Sequence, residues 1–349
     1  MRIGVLDIGS TAAQLQVVEA YPGAPPLATH AVKRPTRLGE AITPDGAIDA
    51  AGADRVVAAV REVMDAARGL AIDRLYAFAT SVVRDATNRD EVVACLEQEA
   101  GLRPQFLSGE HEAELVYHAA HRWYGWSAGR LLVLDIGGGS MEIVFGRDAT
   151  PEVAVSLPLG AGRLTRAFLA DDPPTQKQIK ALRRHVRGAL REVADRLAWE
   201  GGPVRAAATS KTFLQLARLA GAPALRKGPF VRRCVTAEAL AAWIPRLAAL
   251  PAAERAKLPG ISRPRARQIL AGAIVARAAM SALNVGVLDV CPWALREGVL
   301  LRHIEVDHPP ADLPLRPVGK SLASVRPLPR WALDATPRPD LKDLGRGPA

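Results

Sequence analysis

Val133-Leu134-Asp135-Ile136-Gly137-Gly138-Gly139-Ser140 is the stretch on which the reading of this chain turns. A short apolar run ends on an aspartate and passes into a glycine-rich turn closed by a serine. An apolar run of this length bounded by glycine reads as a strand. The glycines let backbone N–H groups approach an anion with no Cβ in the way. The same order stands 128 residues earlier as Val5-Leu6-Asp7-Ile8-Gly9-Ser10. Each copy runs into a second strand signal, Leu15–Glu19 after the first and Glu142–Phe145 after the second. Strand, aspartate, glycine turn and strand, written twice, describe a duplicated unit with one phosphate-binding hairpin per copy. Two such turns facing each other would hold a phosphate chain from both sides.

Outward from these turns, strand and helix signals alternate. Ala50–Ala67 has helical spacing (Val56, Val57, Val60, Val63, Met64), Arg74–Ala79 reads as a strand, and Asn88 opens a helix over Arg89–Ala100. Gly109–Ala120 is helical and Glu152–Leu157 extended. Thr175–Leu197 is a long amphipathic helix with Leu182, Val186, Leu190, Val193 and Leu197 on one side. Val204–Ala208 and Val285–Val290 are strands, Arg265–Leu283 is an Ala-rich central helix, and Trp293–His303 is the final helix. This alternation predicts an α/β fold with helices covering the sheets.

Composition narrows the functional class. The 349 residues are 49% hydrophobic and 23% charged, as in globular proteins. No apolar stretch has membrane-helix length, and no secretory signal opens the chain. Cys95, Cys234 and Cys291 lack metal-like spacing, so a reduced, cytoplasmic setting is expected. The net charge of +10 is uneven: residues 1–127 carry −5, residues 128–307 carry +12 and residues 308–349 carry +3. A basic second half suits a polyanionic partner, although an Arg-rich solvated face would look the same. We read Arg183–Arg191, Arg226–Arg233 and Arg263–Arg267 as a track leading a phosphate chain toward an acidic centre, with Arg232 and Arg233 gripping long chains. Neither DNA nor a membrane is an expected partner.

Several segments carry chemistry. An aspartate at a strand end can hold Mg²⁺ directly or through water. In Ser108-Gly109-Glu110-His111-Glu112-Ala113-Glu114 the acids either complement a helix N-terminus or include a general base. Spacing does not choose among Glu110, Glu112 and Glu114. Thr80-Ser81-Val82-Val83-Arg84 offers hydroxyls and a guanidinium to phosphate oxygens, or is a capped loop. Trp123-Tyr124-Gly125-Trp126 reads first as hinge packing and second as a platform for a nucleobase.

Taken in order, these motifs resemble those of the exopolyphosphatase/guanosine pentaphosphate phosphohydrolase family in its short two-domain form. The resemblance rests on Asp7-Ile8-Gly9-Ser10, Thr80-Ser81 with Arg84 and Asn88, Ser108-Gly109-x-x-Glu112-Ala113, Asp135–Ser140 with Glu142, Ser156–Thr165, and Ala294-Leu295-Arg296-Glu297-Gly298. It implies two actin-like, ribonuclease H-like lobes of the actin and sugar-kinase superfamily, over 1–125 and 126–305, with an active-site cleft between them. Beyond them a Pro-rich basic tail, 306–349, is expected to be disordered. The resemblance further implies Glu112 as general base, and Asp7, Asp135 and Glu142 around Mg²⁺ or Mn²⁺. It implies Gly9, Ser10, Thr11, Ser81, Arg84, Gly137, Gly138, Gly139, Ser140 and Lys211 as phosphate-binding residues. A homodimer is expected on the same ground.

There are departures. Where the family has an amide, a hydroxyl and a cation after its first motif, this chain has Thr11, Ala12 and Gln14. Lys211 replaces a glycine in Ala208-Thr209-Ser210-Lys211-Thr212, where it either adds a cation for phosphate or points to solvent. Arg166 replaces an acid at the end of Arg163-Leu164-Thr165. The activity implied is release of terminal phosphate from inorganic polyphosphate of short to medium length. Guanosine pentaphosphate is the alternative substrate. A weakly active or non-catalytic polyphosphate or nucleotide sensor is the alternative motivated by Ala12 and Gln14, and a sugar kinase is disfavoured.

Overall fold

A computed structural model of the chain describes residues 1–304 and Leu315. Its first sheet holds β1 (Arg2–Ile8), β2 (Ala12–Glu19), β3 (Ala28–Pro35), β4 (Arg74–Ala79) and β5 (Gln105–Phe106), in the order β3-β2-β1-β4-β5. The second holds β6 (Leu131–Ile136), β7 (Met141–Gly146), β8 (Val153–Leu157), β9 (Arg205–Ala208), β10 (Cys234–Thr236) and β11 (Val287–Val290), in the order β10-β11-β9-β6-β7-β8. Read from β8, the run β8-β7-β6-β9-β11 repeats the first sheet strand for strand. The directions repeat too: the central strand is antiparallel to the strand after it and parallel to the next one across. The duplication signalled by two short turns therefore extends to both sheets, and β10 adds one antiparallel edge strand to the second copy. This is the expected α/β, two-sheet architecture.

Helices cover the sheets. Among residues 50–124 they are α1 (Ala50–Arg68), α2 (Ser81–Arg84), α3 (Arg89–Ala100) and α4 (Gly109–Tyr124). After β8 come α5 (Ala161–Phe168), α6 (Gln176–Glu200), α7 (Ser210–Leu219), α8 (Ala237–Ala249), α9 (Ala252–Arg255), α10 (Ile269–Ala282) and α11 (Leu295–Ile304). In α6, Thr175 accepts from the Gln178 N–H while the Gln178 side chain accepts from the Thr175 N–H, which satisfies two orphan donors of the first turn. The stripe Leu182, Val186, Leu190, Val193 and Leu197 then buries as its spacing requires. At roughly 1.5–3 kcal/mol per fully buried side chain, that stripe fixes the helix in place.

One boundary and two elements differ from the sequence reading for local reasons. The helix expected from Arg265 starts at Ile269, because Pro264 begins a separate 3-10 turn over Arg263–Arg265. The helix α8 gave no clear signal, since Pro245 lies inside it. The edge strand β3 was missed because its mostly exposed residues show no apolar alternation. The expected tail, 306–349, lies outside the described residues apart from Leu315, which is buried beside Ile3, Tyr76 and Leu300. Among the described residues no helix is long and apolar enough to cross a membrane.

The placement of α4 matters most for the site. On one side its Leu115 joins a cluster with Val5, Phe78, Val299 and Leu300 of β1, β4 and α11. On the other, Ala113, Val116, Tyr117 and Ala120 pack on Leu131, Val133 and Val144 of the second sheet. The last helix, α11, lies against α4 and β1. Their backbones touch at Gly298, where a Cβ would clash with the Leu115 carbonyl oxygen. Gly298→Ala should therefore lower stability by roughly 1–3 kcal/mol through overpacking, read as a lower urea midpoint.

Candidate active site

The two glycine turns are built alike: the Gly9 N–H donates to Ala12 O and the Gly137 N–H to Ser140 O, each at 3.0 Å. They meet face to face, so closely that a Cβ on Gly138 would sit against the Ser10 hydroxyl and one on Gly139 against the Ser81 hydroxyl. Between the sheets lies a cavity of about 190 Å³. Asp7, Gly9, Ser10 and Thr11 line it from the first turn, and Asp135, Gly137, Gly138, Ser140 and Glu142 from the second. Ser81, Glu112 and Lys211 complete the set anticipated from sequence. Two expected residues are elsewhere. Gly139 lines a neighbouring cavity. Arg84 stands behind Glu112, donating to its carboxylate at 2.6 Å and to Leu107 O at 2.8 Å. Its guanidinium faces the acid, and it borders neither cavity.

The structure separates the three helix acids. The Ser108 side chain accepts from the His111 N–H and caps α4. From that start the helix turns Glu110 and Glu114 to solvent and buries Glu112 against the cavity. Desolvation first, and then the neighbouring charges of Asp7 and Asp135, push the Glu112 pKa up to about 7, while Arg84 works in the other direction. Asp135 is pushed up to about 6 by burial, against a short hydrogen bond donated by Thr209. Glu142 lies directly across from Asp135 in the β6–β7 register. Burial and then the Glu112 and Asp135 charges raise it well above the usual carboxylate range. Desolvation raises Asp7 as well, and its buried Oδ1 has no hydrogen-bond partner among the described residues.

Cations face these acids across the same cavity: Lys33 from β3, Lys211 from α7, Arg265 from the 3-10 turn and Arg296 from α11. Partial desolvation, followed by the charges of Arg265 and Arg296, lowers the pKa of Lys33. The sequence reading had not placed Lys33 or Arg296 at the site, and had Arg265 only in its basic track. Ser210 was also missed. It holds φ 75°, and its buried hydroxyl has no partner. A left-handed serine carries no sequence signal, because glycine and asparagine are the residues that mark that conformation.

Residues 17–306 match the model of the Ppx/GppA phosphatase family. The chain belongs to that family. It is 47% identical over 305 residues to Exopolyphosphatase 1 of Mycobacterium tuberculosis, covering 87% of this chain and 89% of that one. It is 50% identical over 307 residues to an uncharacterized protein of Streptomyces coelicolor, covering 87% and 91%. A crystal structure of an Aquifex aeolicus Ppx/GppA family member superposes with a TM-score of 0.71 at 26% identity, covering 87% and 97%. An exopolyphosphatase structure from Cytophaga hutchinsonii shares the fold with a TM-score of 0.79 at 22% identity, covering 87% and 98%.

Part of the expected basic track dissolves in this Ppx/GppA protein. Arg233 is buried and donates to the carbonyls of Pro223, Ala224, Gly228 and Val231, so it shapes its own loop. Arg232 pairs with Asp289 at 2.9 Å. Of the three basic runs, Arg263–Arg267 reaches the cavities through Arg265 and Arg267. In the aromatic segment Trp123 stacks on Phe230 at 5.3 Å and meets Trp293 edge-on at 5.1 Å, whereas Trp126 is fully exposed. Among the described residues no three His, Cys, Asp or Glu side chains are grouped to cage a metal ion. The oxygen donors Asp7, Asp135 and Glu142, one with an orphaned buried oxygen, nonetheless fit an ion that keeps most of its water, as Mg²⁺ does.

The raised Glu112 pKa has a consequence for stability. Between its ordinary value near 4.5 and about 7 the folded carboxyl keeps a proton that the unfolded chain has released, so stability falls as pH rises through that window. The thermal midpoint of the wild type should drop across this window more than that of Glu112→Gln, which keeps an uncharged group there. Parallel profiles would contradict the assignment.

Proposed function

We propose that the protein is an exopolyphosphatase that removes terminal phosphate from inorganic polyphosphate of short to medium length. The observation that carries this is Glu112: the one buried acid of the three on α4, held by Arg84 and raised to about 7, beside two facing glycine turns. A general base works best with a pKa near the working pH. The exopolyphosphatase relative at 47% identity supports the substrate class.

The mechanism follows from what each group offers. N–H groups and hydroxyls of the Ser10–Thr11 and Gly137–Ser140 turns cradle the terminal phosphoryl group. Lys33, Lys211, Arg265 and Arg296 offset charge on the phosphoryl oxygens. Glu112 takes the proton of the attacking water, and Arg84 fixes the carboxylate while keeping its pKa from climbing further. A hydrated Mg²⁺ or Mn²⁺ held by Asp7, Asp135 and Glu142 would add neutralising charge at the same oxygens.

The departures at Ala12 and Gln14 do not leave the site short of charge. Gln14 pairs in register with Lys33 on the next strand, and both line the cavity. A cation thus stands across from the position where the sequence lacks one, which favours turnover over a sensor. Guanosine pentaphosphate remains the second substrate to be tested, on the strength of the family.

Phosphate release should be measured with Mg²⁺ from polyphosphates of defined length and from guanosine pentaphosphate. Glu112→Gln should slow it by about 10²–10⁴-fold. The wild-type kcat/KM should rise with pH along a limb near 7, and Arg84→Met should move that limb to higher pH, since the lost cation favoured the carboxylate. Undiminished release by Glu112→Gln would overturn the base assignment. Mg²⁺ should also raise the thermal midpoint, and by more at about pH 8 than at about pH 5, because the carboxylates must be ionised to hold it.

A further inference from the structure

A second cavity, of about 410 Å³, adjoins the first. Ser10, Thr11, Ser81 and Gly138 line both, so the two glycine turns form a partition with a chamber on each side. The second chamber is lined by two carboxylates, Glu40 and Asp85, the latter paired with Arg163. It carries Arg37, Arg163, Arg166 and Arg267, none of which the mechanism above uses.

Three of these arginines are anchored by one or two bonds and keep further donors. Arg163 pairs with Asp85 at 2.6 Å and donates to Gly139 O at 2.9 Å. Arg166 donates to Gly39 O at 2.8 Å, and Arg267 to Ala170 O at 2.7 Å. A guanidinium has five N–H donors, and its planar fork matches phosphate oxygens two at a time. Arg37 adds an independent sign. It holds φ 49°, a left-handed conformation that is strained for a residue with a Cβ. Its N–H donates to Thr11 O, which ties this strained turn to the first phosphate turn. Strain kept in place by its surroundings is characteristic of ligand sites.

We propose that the second chamber binds the phosphate groups of the substrate beyond those held in the carboxylate cavity, so that one chain lies on both sides of the partition. Phosphate is the shared chemistry of inorganic polyphosphate and nucleoside polyphosphates, and either would engage the arginines. The proposal rests on reading the carboxylate cavity as the cleavage site.

The test is calorimetric binding with the Glu112→Gln protein, comparing tripolyphosphate, long-chain polyphosphate and guanosine pentaphosphate before and after adding Arg166→Gln and Arg267→Gln. Long chains should bind at least tenfold more weakly in the combined variant, and tripolyphosphate within twofold of its starting affinity. A similar loss for guanosine pentaphosphate would extend the chamber to nucleotide sources. Equal weakening of short and long chains, no weakening, or a loss confined to the nucleotide would overturn the proposal. Arg37→Gln alone should weaken long chains in the same direction, which keeps the test open should the combined variant fold poorly. Phosphate release by the wild type is followed separately. If none occurs from any chain, the hydrolase reading fails while the binding comparison still reports on the second chamber.

Discussion

Asp135 and Glu142 face each other across neighbouring strands, and protein groups alone do not neutralise them. Like charges directly opposite in a sheet are destabilising, and burial makes the arrangement worse. Much of the site can be understood as a response to that strain. Thr209 and Ser156 each donate to one carboxylate. Arg265 is half-buried; desolvation lowers its pKa, while the Asp135 and Asp7 charges favour its cationic form. Burial and the neighbouring charges still leave both carboxyls with raised pKa values. Because Asp7 and Asp135 help to raise the Glu112 pKa, any cation held beside them would lower it.

The duplication gives this arrangement its geometry. Each half ends its central strand on an aspartate and turns back through glycine, so two equivalent turns can meet head-on. The halves then diverge in what they add. The second turn carries three glycines and the Asp135–Glu142 pair, while the first has Gln14 across from Lys33. Each half brings two acids to the cavity, but three of its four cations, Lys211, Arg265 and Arg296, come from the second half of the chain.

The fold and much of the site were legible in sequence because both are local there. Strand, aspartate and glycine turn occupy eight consecutive residues, and the Ser108 cap with Glu112 occupies five. What could not be read depends on distant approach. Arg265, Arg296 and Lys33 reach one cavity from three separate elements, and nothing local distinguishes them from the chain's many other basic residues. Arg233 failed in the opposite sense. Its neighbours suggested a surface track, but four carbonyls of its own loop claim its guanidinium. Glu112 among three acids was settled by helix phase, which the sequence encodes only once the buried side of α4 is known.

The double packing of α4 has a mechanical corollary. A helix clamped by two sheets cannot travel with either one when they separate; one of its faces must slip. Glu112 rides on that helix with its carboxylate tied to Arg84 at the end of α2. Any parting of the two sheets would therefore shift the Glu112 carboxylate relative to at least one of the two glycine turns. The helix thus makes the setting of Glu112 depend on how the two sheets are seated against each other.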